Sequence, residues 1–146
     1  MGRSRDPLNE KFVKGLHRRM FGDVWRWAGE FRTSERNLGI AFYKIPVALR
    51  QLLDETKAWI GYESYPADEI AVRFHHRLVQ IHPFPNGNGR LSRLMADLLV
   101  IRLGGERFSW GSASMRGAGG VRQRYIAALR AADNHDIGLL LAFART

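Results

Sequence analysis

Apolar positions along the chain fall mostly at helical spacing. Phe12, Leu16 and Met20 form a stripe with Lys14, Arg18 and Arg19 largely off it, which predicts a first helix over Leu8–Phe21. Gly22 and Gly29 punctuate the next segment and predict a helix end and a tight connection, with Trp25 and Trp27 as packing residues. Leu49, Leu52, Leu53, Thr56, Trp59 and Ile60 share one face of a second helix that ends near Gly61. Pro46 suits its start, where a missing N–H would be unpaired anyway. Ile70, Phe74, Leu78 and Ile81 predict a third helix, opened by Pro66 with Asp68 and Glu69 in its first turn, where acids favour the dipole. Leu91, Leu94, Met95, Leu98 and Ile101 predict a fourth. Val121, Tyr125, Ala128, Leu129 and Ala132 predict a fifth, and Asp136 caps or starts a last one carrying Leu139, Leu140 and Phe143.

Two stretches lack this period. Phe31 to Ile45 is the least helical, and Asn37 to Gly39 suits the turn of a short β-hairpin, although a direct Asn-Gly pair is missing and an ordinary surface loop fits the stretch equally. Gly104 to Gly111 reads as a loop and Ser112 to Gly120 as a glycine- and serine-rich connection. The pattern predicts a mainly α chain, one domain over residues 1–146, with no internal repeat and no linker.

Composition narrows this. A 45% hydrophobic fraction over 146 residues supplies a real core. The absence of cysteine excludes disulfides and thiolate metal sites and is compatible with a reducing cytoplasm. The longest apolar run, Leu94 to Leu103, is interrupted by Asp97 and Arg102 and is too short to span a bilayer, so no membrane partner is expected. The first residues lack the apolar core of a signal peptide. The net charge of +9 and pI near 10.8 suit a solvated basic surface, a nucleotide triphosphate, or a face for nucleic acid or an acidic partner protein. No run of five basic residues occurs, which argues against a nucleic-acid tail.

The chemistry concentrates in His82-Pro83-Phe84-Pro85-Asn86-Gly87-Asn88-Gly89-Arg90-Leu91-Ser92-Arg93, between the third and fourth helices. Glycines let the backbone approach a ligand. Free amides at the start of the fourth helix suit a phosphate. Arg90 and Arg93 lie one turn apart, a forked pair suited to a di- or triphosphate. His82 precedes the turn, where an imidazole can accept a proton. Base, cradle and clamp together suggest transfer of a group from a nucleotide. His17 is read as a surface or core-edge residue. His75 and His76 invite a metal reading, but no carboxylate or cysteine accompanies them at ligand spacing.

This stretch resembles the signature of the Fic (Fic/Doc) family, H-x-F-x-D/E-G-N-G-R-x-x-R, matching at His82, Phe84, Gly87, Asn88, Gly89, Arg90 and Arg93. Trp27-Ala28-Gly29-Glu30-Phe31-Arg32 also resembles the family's aromatic-Ala-Gly-x-x-Arg segment. The Pro85-Asn86 spelling is similar to the bacterial subgroup called mobile mystery protein B, which is commonly paired with a helix-turn-helix partner. The resemblance implies a Fic-fold helical bundle with a short β-hairpin flap, in a bacterial cytoplasmic protein adenylyltransferase of toxin-like or regulatory kind.

In that reading ATP is the substrate, with Mg²⁺, and AMP passes to a Ser, Thr or Tyr hydroxyl of a target protein. His82 is the base. Amides from Gly87 to Gly89 and the Asn88 side chain hold phosphate oxygens, Arg90 and Arg93 bind the departing phosphates, and Tyr125 borders the adenine. Asn37, Leu38, Gly39, Ile40, Ala41 and Phe42 form the flap that holds the target. The departure is Asn86, which stands where the family has an acidic metal ligand; its amide oxygen can ligate Mg²⁺, weakly, but brings no charge. It keeps open transfer of another group (phosphoryl or UMP), or a catalytically weak nucleotide- or nucleic-acid-binding helical module. The family's inhibitory sequence S/T-x-x-x-E-G/N does not occur, so restraint is expected from a separate antitoxin-like protein or an N-terminal piece.

Overall fold

The computed structural model describes residues 6–36, 38–112 and 118–146. Six α-helices are found among them. α1 (Glu10–Phe21) starts two residues later than the periodicity predicts, because Asn9 is its cap: extended itself, it accepts a bond from the Phe12 amide at 2.7 Å. Its buried residues are Val13, Leu16, His17 and Phe21. The stripe is therefore rotated from the predicted one, and Phe12 and Met20 pack at the core's margin. His17 is wholly buried rather than at the surface or core edge.

A 3₁₀ turn (Phe42–Lys44) leads into α2 (Ile45–Gly61), which buries Ile45, Leu49, Leu52, Leu53 and Thr56. α3 (Ala67–Ile81) is the central element. It buries residues on nearly every side and packs against both α2 and α4. α4 (Asn88–Arg102) turns Leu91, Met95, Leu99 and Val100 inward, whereas Leu94 and Leu98 are half-buried and Ile101 is 51% exposed. The run that reads as one apolar stripe is thus split between core and rim. α5 (Ala118–Asp133) and α6 (Gly138–Ala144) form the last layer, and α6 also reaches α3. Asp136 lies just before α6 and accepts from the Gly138 amide at 3.0 Å. No helix among the described residues is long and apolar enough to cross a membrane.

The β-hairpin expected over Phe31–Ile45 does not form: no strand occurs among the described residues. Asn37 lies outside them, as do 113–117 of the glycine- and serine-rich stretch. The physical reason is where the main chain finds its partners. The Arg32 amide donates to the Pro83 carbonyl at 2.9 Å, and the Ser34 and Ile40 carbonyls accept from the Arg32 guanidinium. These groups pair with a neighbouring loop and a side chain rather than across a turn.

Buried polar groups tie the layers. Asp97, which reads as an interruption of an apolar run, is buried and accepts from the Phe108 amide and from Trp110 Nε1 at 3.0 and 3.1 Å. His75 Nε2 meets the Tyr125 hydroxyl at 2.9 Å, and His76 Nε2 meets Asp133 at 2.8 Å. Each histidine spends one ring nitrogen on a cross-helix tie, and among the described residues no group of three or more His, Cys, Asp or Glu is placed to hold a metal.

His75 makes stability depend on pH. Burial lowers its pKa to about 3 from the ordinary 6.5, so the folded state refuses a proton that the unfolded chain takes. Its contribution is complete above about pH 6.5 and is lost as pH falls towards about 3. Burial shifts His17 in the same direction. Urea denaturation at pH 7.5 and 5 is expected to show a loss of about 2 kcal/mol from His75 alone. A His75→Gln variant should have a flatter dependence over that range.

Candidate active site

His82 caps the C-terminus of α3 in a left-handed conformation, φ 53° and ψ 62°, with its amide on the Leu78 carbonyl at 3.1 Å. Pro83 prevents the helix from continuing. A non-glycine residue held there costs of order 1 kcal/mol, and histidine tolerates it better than most. Its carbonyl accepts from Arg32 Nε at 2.6 Å. The imidazole is half-buried, and burial, then the charges of Arg32 and Arg36, push its pKa below the ordinary histidine value. At neutral pH it is a neutral proton acceptor.

The loop to α4 is braced from inside. Phe84 is fully buried and stacks on the His17 ring, with centroids 3.9 Å apart and planes 14° apart. Asn88 is also buried. Its Oδ1 accepts from the Phe84 amide at 2.9 Å and its Nδ2 donates to the Phe84 carbonyl at 2.8 Å. Both polar atoms of the side chain expected to hold phosphate oxygens thus bond the loop's own backbone, which fixes the shape of the loop. Gly87 is left-handed at φ 81°, and a Cβ there would stand 2.5 Å from the Phe21 ring. The residue must be glycine because α1 lies directly behind it.

His17 completes the brace. The Gly29 amide donates to Nδ1 at 2.9 Å, so the proton is on Nε2, which donates to the Asn86 carbonyl at 2.9 Å. The Asn86 side chain is exposed.

Beyond Gly87 the first helical bond of α4 runs from the Leu91 amide to the Gly87 carbonyl at 3.0 Å. The amides of Asn88, Gly89 and Arg90 have no carbonyl behind them and point out of the helix N-terminus, with no side chain capping them. Arg90 is exposed and Arg93 half-buried, one turn on. Neither forms an ion pair among the described residues. The Arg93 guanidinium lies 5.3 Å above the Tyr125 ring. Tyr125 therefore supports Arg93 and packs against the core, which is the position the structure gives to that candidate adenine neighbour. The juncture offers a neutral base, three free amides and two cations that can face a polyphosphate.

A model of the Fic/DOC family matches residues 7–100, most of the chain, including the whole loop. The chain belongs to the Fic/DOC family. Curated relatives agree. It is 34% identical over 103 residues to the protein adenylyltransferase Fic of Aedes aegypti, covering 68% of this chain and 21% of that protein. With the Drosophila melanogaster protein of the same name it shares 36% over 99 residues, covering 64% and 20%. The chain thus spans about a fifth of the length of the curated Fic relatives it matches. Among solved Fic structures, Fic-1 (aa134–508) of C. elegans superposes with a TM-score of 0.77 at 24% identity, covering 94% of this chain and 39% of that one. A Fic domain containing signaling protein from Bacteroides thetaiotaomicron superposes at 0.73 with 21% identity, covering 96% and 54%. These likenesses show the Fic fold.

Of the Fic flap candidates, Asn37 is outside the described residues. Leu38 is exposed, and Ile40, Ala41 and Phe42 are half-buried. Gly39 lies against the base: a Cβ on it would be 2.6 Å from His82 Cβ and 2.7 Å from Arg32 Nη2. Sequence reasoning missed two residues that build the Fic site, Arg32 and His17. Arg32 is the final residue of the aromatic-Ala-Gly-x-x-Arg segment, which was the available signal. His17 sits at helical spacing from Val13, a polar residue in a core register.

Proposed function

We propose that this Fic domain is a protein adenylyltransferase that moves AMP from ATP to a Ser, Thr or Tyr hydroxyl of a target protein. The observation that carries the reading is the juncture of α3 and α4, where a neutral histidine precedes three free amides and two arginines. The names of the curated relatives support it.

His82 takes the hydroxyl proton as the hydroxyl oxygen attacks the α-phosphorus. The bond from that phosphorus to the oxygen bridging to the β-phosphate breaks, and pyrophosphate leaves. The free amides and the Arg90 and Arg93 guanidiniums hold the phosphate oxygens on which charge develops. Tyr125 acts through Arg93. The target segment runs along Leu38–Phe42, beside His82.

Mg²⁺ arrives with ATP and, when bound, neutralises phosphate charge. The donor set does not fit a protein-built Mg²⁺ site. Asn86 offers one neutral oxygen, its carbonyl is held by His17, and 82–93 contains no carboxylate. The steps above therefore rest on the chain's residues alone.

The Pro85-Asn86 spelling supports the mobile mystery protein B subgroup, and with it a bacterial cytoplasmic setting and a separate helix-turn-helix or antitoxin-like partner.

The test is incubation of the protein with a bacterial lysate and ATP labelled at either the α- or the γ-phosphorus. Protein label from the α-position alone is expected. Label from the γ-position would replace AMP transfer by phosphoryl transfer. No label, together with no ATP binding by calorimetry, would leave a binding module.

A further inference from the structure

Arg32 is among the most buried charged residues described, with 2% of its surface exposed. Burying a guanidinium costs several kcal/mol unless its donors are met. Here they are met almost wholly by main chain. Nε donates to the His82 carbonyl at 2.6 Å and Nη1 to the Ser34 carbonyl at 2.9 Å. Nη2 donates to the Ile40 carbonyl and, at 3.3 Å, to the Ile81 carbonyl. Among the described residues its one carboxylate partner is Glu35, 3.7 Å away and 58% exposed, which is a weak counter-charge. One planar fork thus joins two stretches of chain, at Ser34 and Ile40 and at Ile81 and His82, which share few other bonds among the described residues. The Ile40 amide reaches the Ile81 carbonyl only at 3.5 Å.

The two stretches are those the proposed reaction must align. The His82 peptide is held at both ends, its amide by Leu78 and its carbonyl by Arg32, which keeps the left-handed conformation that aims the imidazole. On the other side, Gly39 touches the histidine's own Cβ with no room for a methyl group.

We infer that Arg32 is a positioning residue that fixes the base and the 38–41 segment as one rigid unit, setting where a target hydroxyl meets His82. The inference rests on the transfer reading for its catalytic consequence, but the clamp itself is a property of the fold. Lysine carries the same charge and cannot replace it, because an ammonium has three donors on a single nitrogen and cannot spread a fork over four carbonyls.

The experiment compares wild type, Arg32→Lys and Arg32→Gln. Arg32→Lys is expected to lower kcat for AMP transfer about 10- to 100-fold, the scale of a misplaced reacting group. The ATP Kd, by calorimetry, should stay within about threefold, since the phosphate cradle is untouched. Hydrogen exchange over 38–41 should accelerate about 10-fold or more, while α3 and α4 keep their protection. Arg32→Gln should also raise the His82 pKa seen by NMR, because Arg32 is one of the two cations lowering it, with Arg36.

Exchange and titration are read without catalysis. Should the wild type transfer nothing, the function reading falls while these two still judge the clamp. Unchanged exchange over 38–41 with unchanged kcat would overturn the inference. So would equal loss of protection across α1–α4 with loss of ATP binding, which would make Arg32 a general fold residue. Should both Arg32 variants fail to fold, Gly39→Ala, whose Cβ would crowd both His82 Cβ and Arg32 Nη2, forces the segment off the clamp while the arginine itself is retained. It should lower kcat with ATP affinity retained, and unchanged kcat there would overturn the inference as well.

Discussion

Replacing His82 with alanine is expected to reduce AMP transfer by about 10²–10⁴-fold, the usual contribution of a positioned general base. ATP should bind with nearly unchanged affinity, because the free amides of α4 and the two arginines are contributed by other residues. The imidazole is kept neutral by burial and by Arg32 and Arg36, so it begins in the proton-accepting form. Alanine also tolerates the left-handed backbone less well than histidine, and part of any loss could come from the loop's conformation. His82→Asn separates the two, since asparagine accepts that conformation but is not a base near neutral pH. Equal losses in both variants, measured with α-labelled ATP and a fixed lysate, would assign the effect to proton transfer. Near-normal transfer in either would move the base elsewhere and remove the foundation of the mechanism.

Phe84→Ala should produce the largest loss of stability, about 3–5 kcal/mol, the range for emptying a buried aromatic position. The ring has no exposed surface, stacks on His17 and lies 5.6 Å from the Phe31 ring. Removing it leaves a cavity between α1 and the loop. It also strips the stacking partner from the histidine that holds the Asn86 carbonyl. Thermal unfolding should shift down by about 10 °C or more for a chain of this size. Phe84→Leu should recover much of the loss by refilling the volume. A shift of only about 1–2 °C in the alanine variant would mean that the loop is braced mainly by the two Asn88 bonds.

Local features were legible where their physics is local. The end of α3 near Ile81, the glycine-rich turn after it and the start of α4 depend on neighbours a few residues apart. So does the pairing of Arg90 with Arg93 on one turn. Where a helix faces is less local. α4 reads as one stripe through Leu94 and Ile101, but the core lies on its Leu91–Met95–Leu99 side, and only the position of α3 decides that. The hairpin failed for a similar reason. The pattern of Phe31–Ile45 is satisfied equally by strand pairing or by an arginine that collects its carbonyls, and the arginine's place depends on residues 50 positions away.

The order of residue types from His82 to Arg93 determined by itself the family resemblance, the candidate base and the candidate anion site. Short-range geometry converts such spacing directly into a helix end, a turn and a helix start. Tertiary structure alone decided that Asn88 bonds both sides of the Phe84 peptide backbone and that His17 is a buried strut rather than an edge residue. It alone placed Gly39 against His82 and gave Arg32 two segments to hold. Each of those contacts joins groups that the chain separates and that only the packing of α1, α3 and α4 brings within hydrogen-bonding or van der Waals reach.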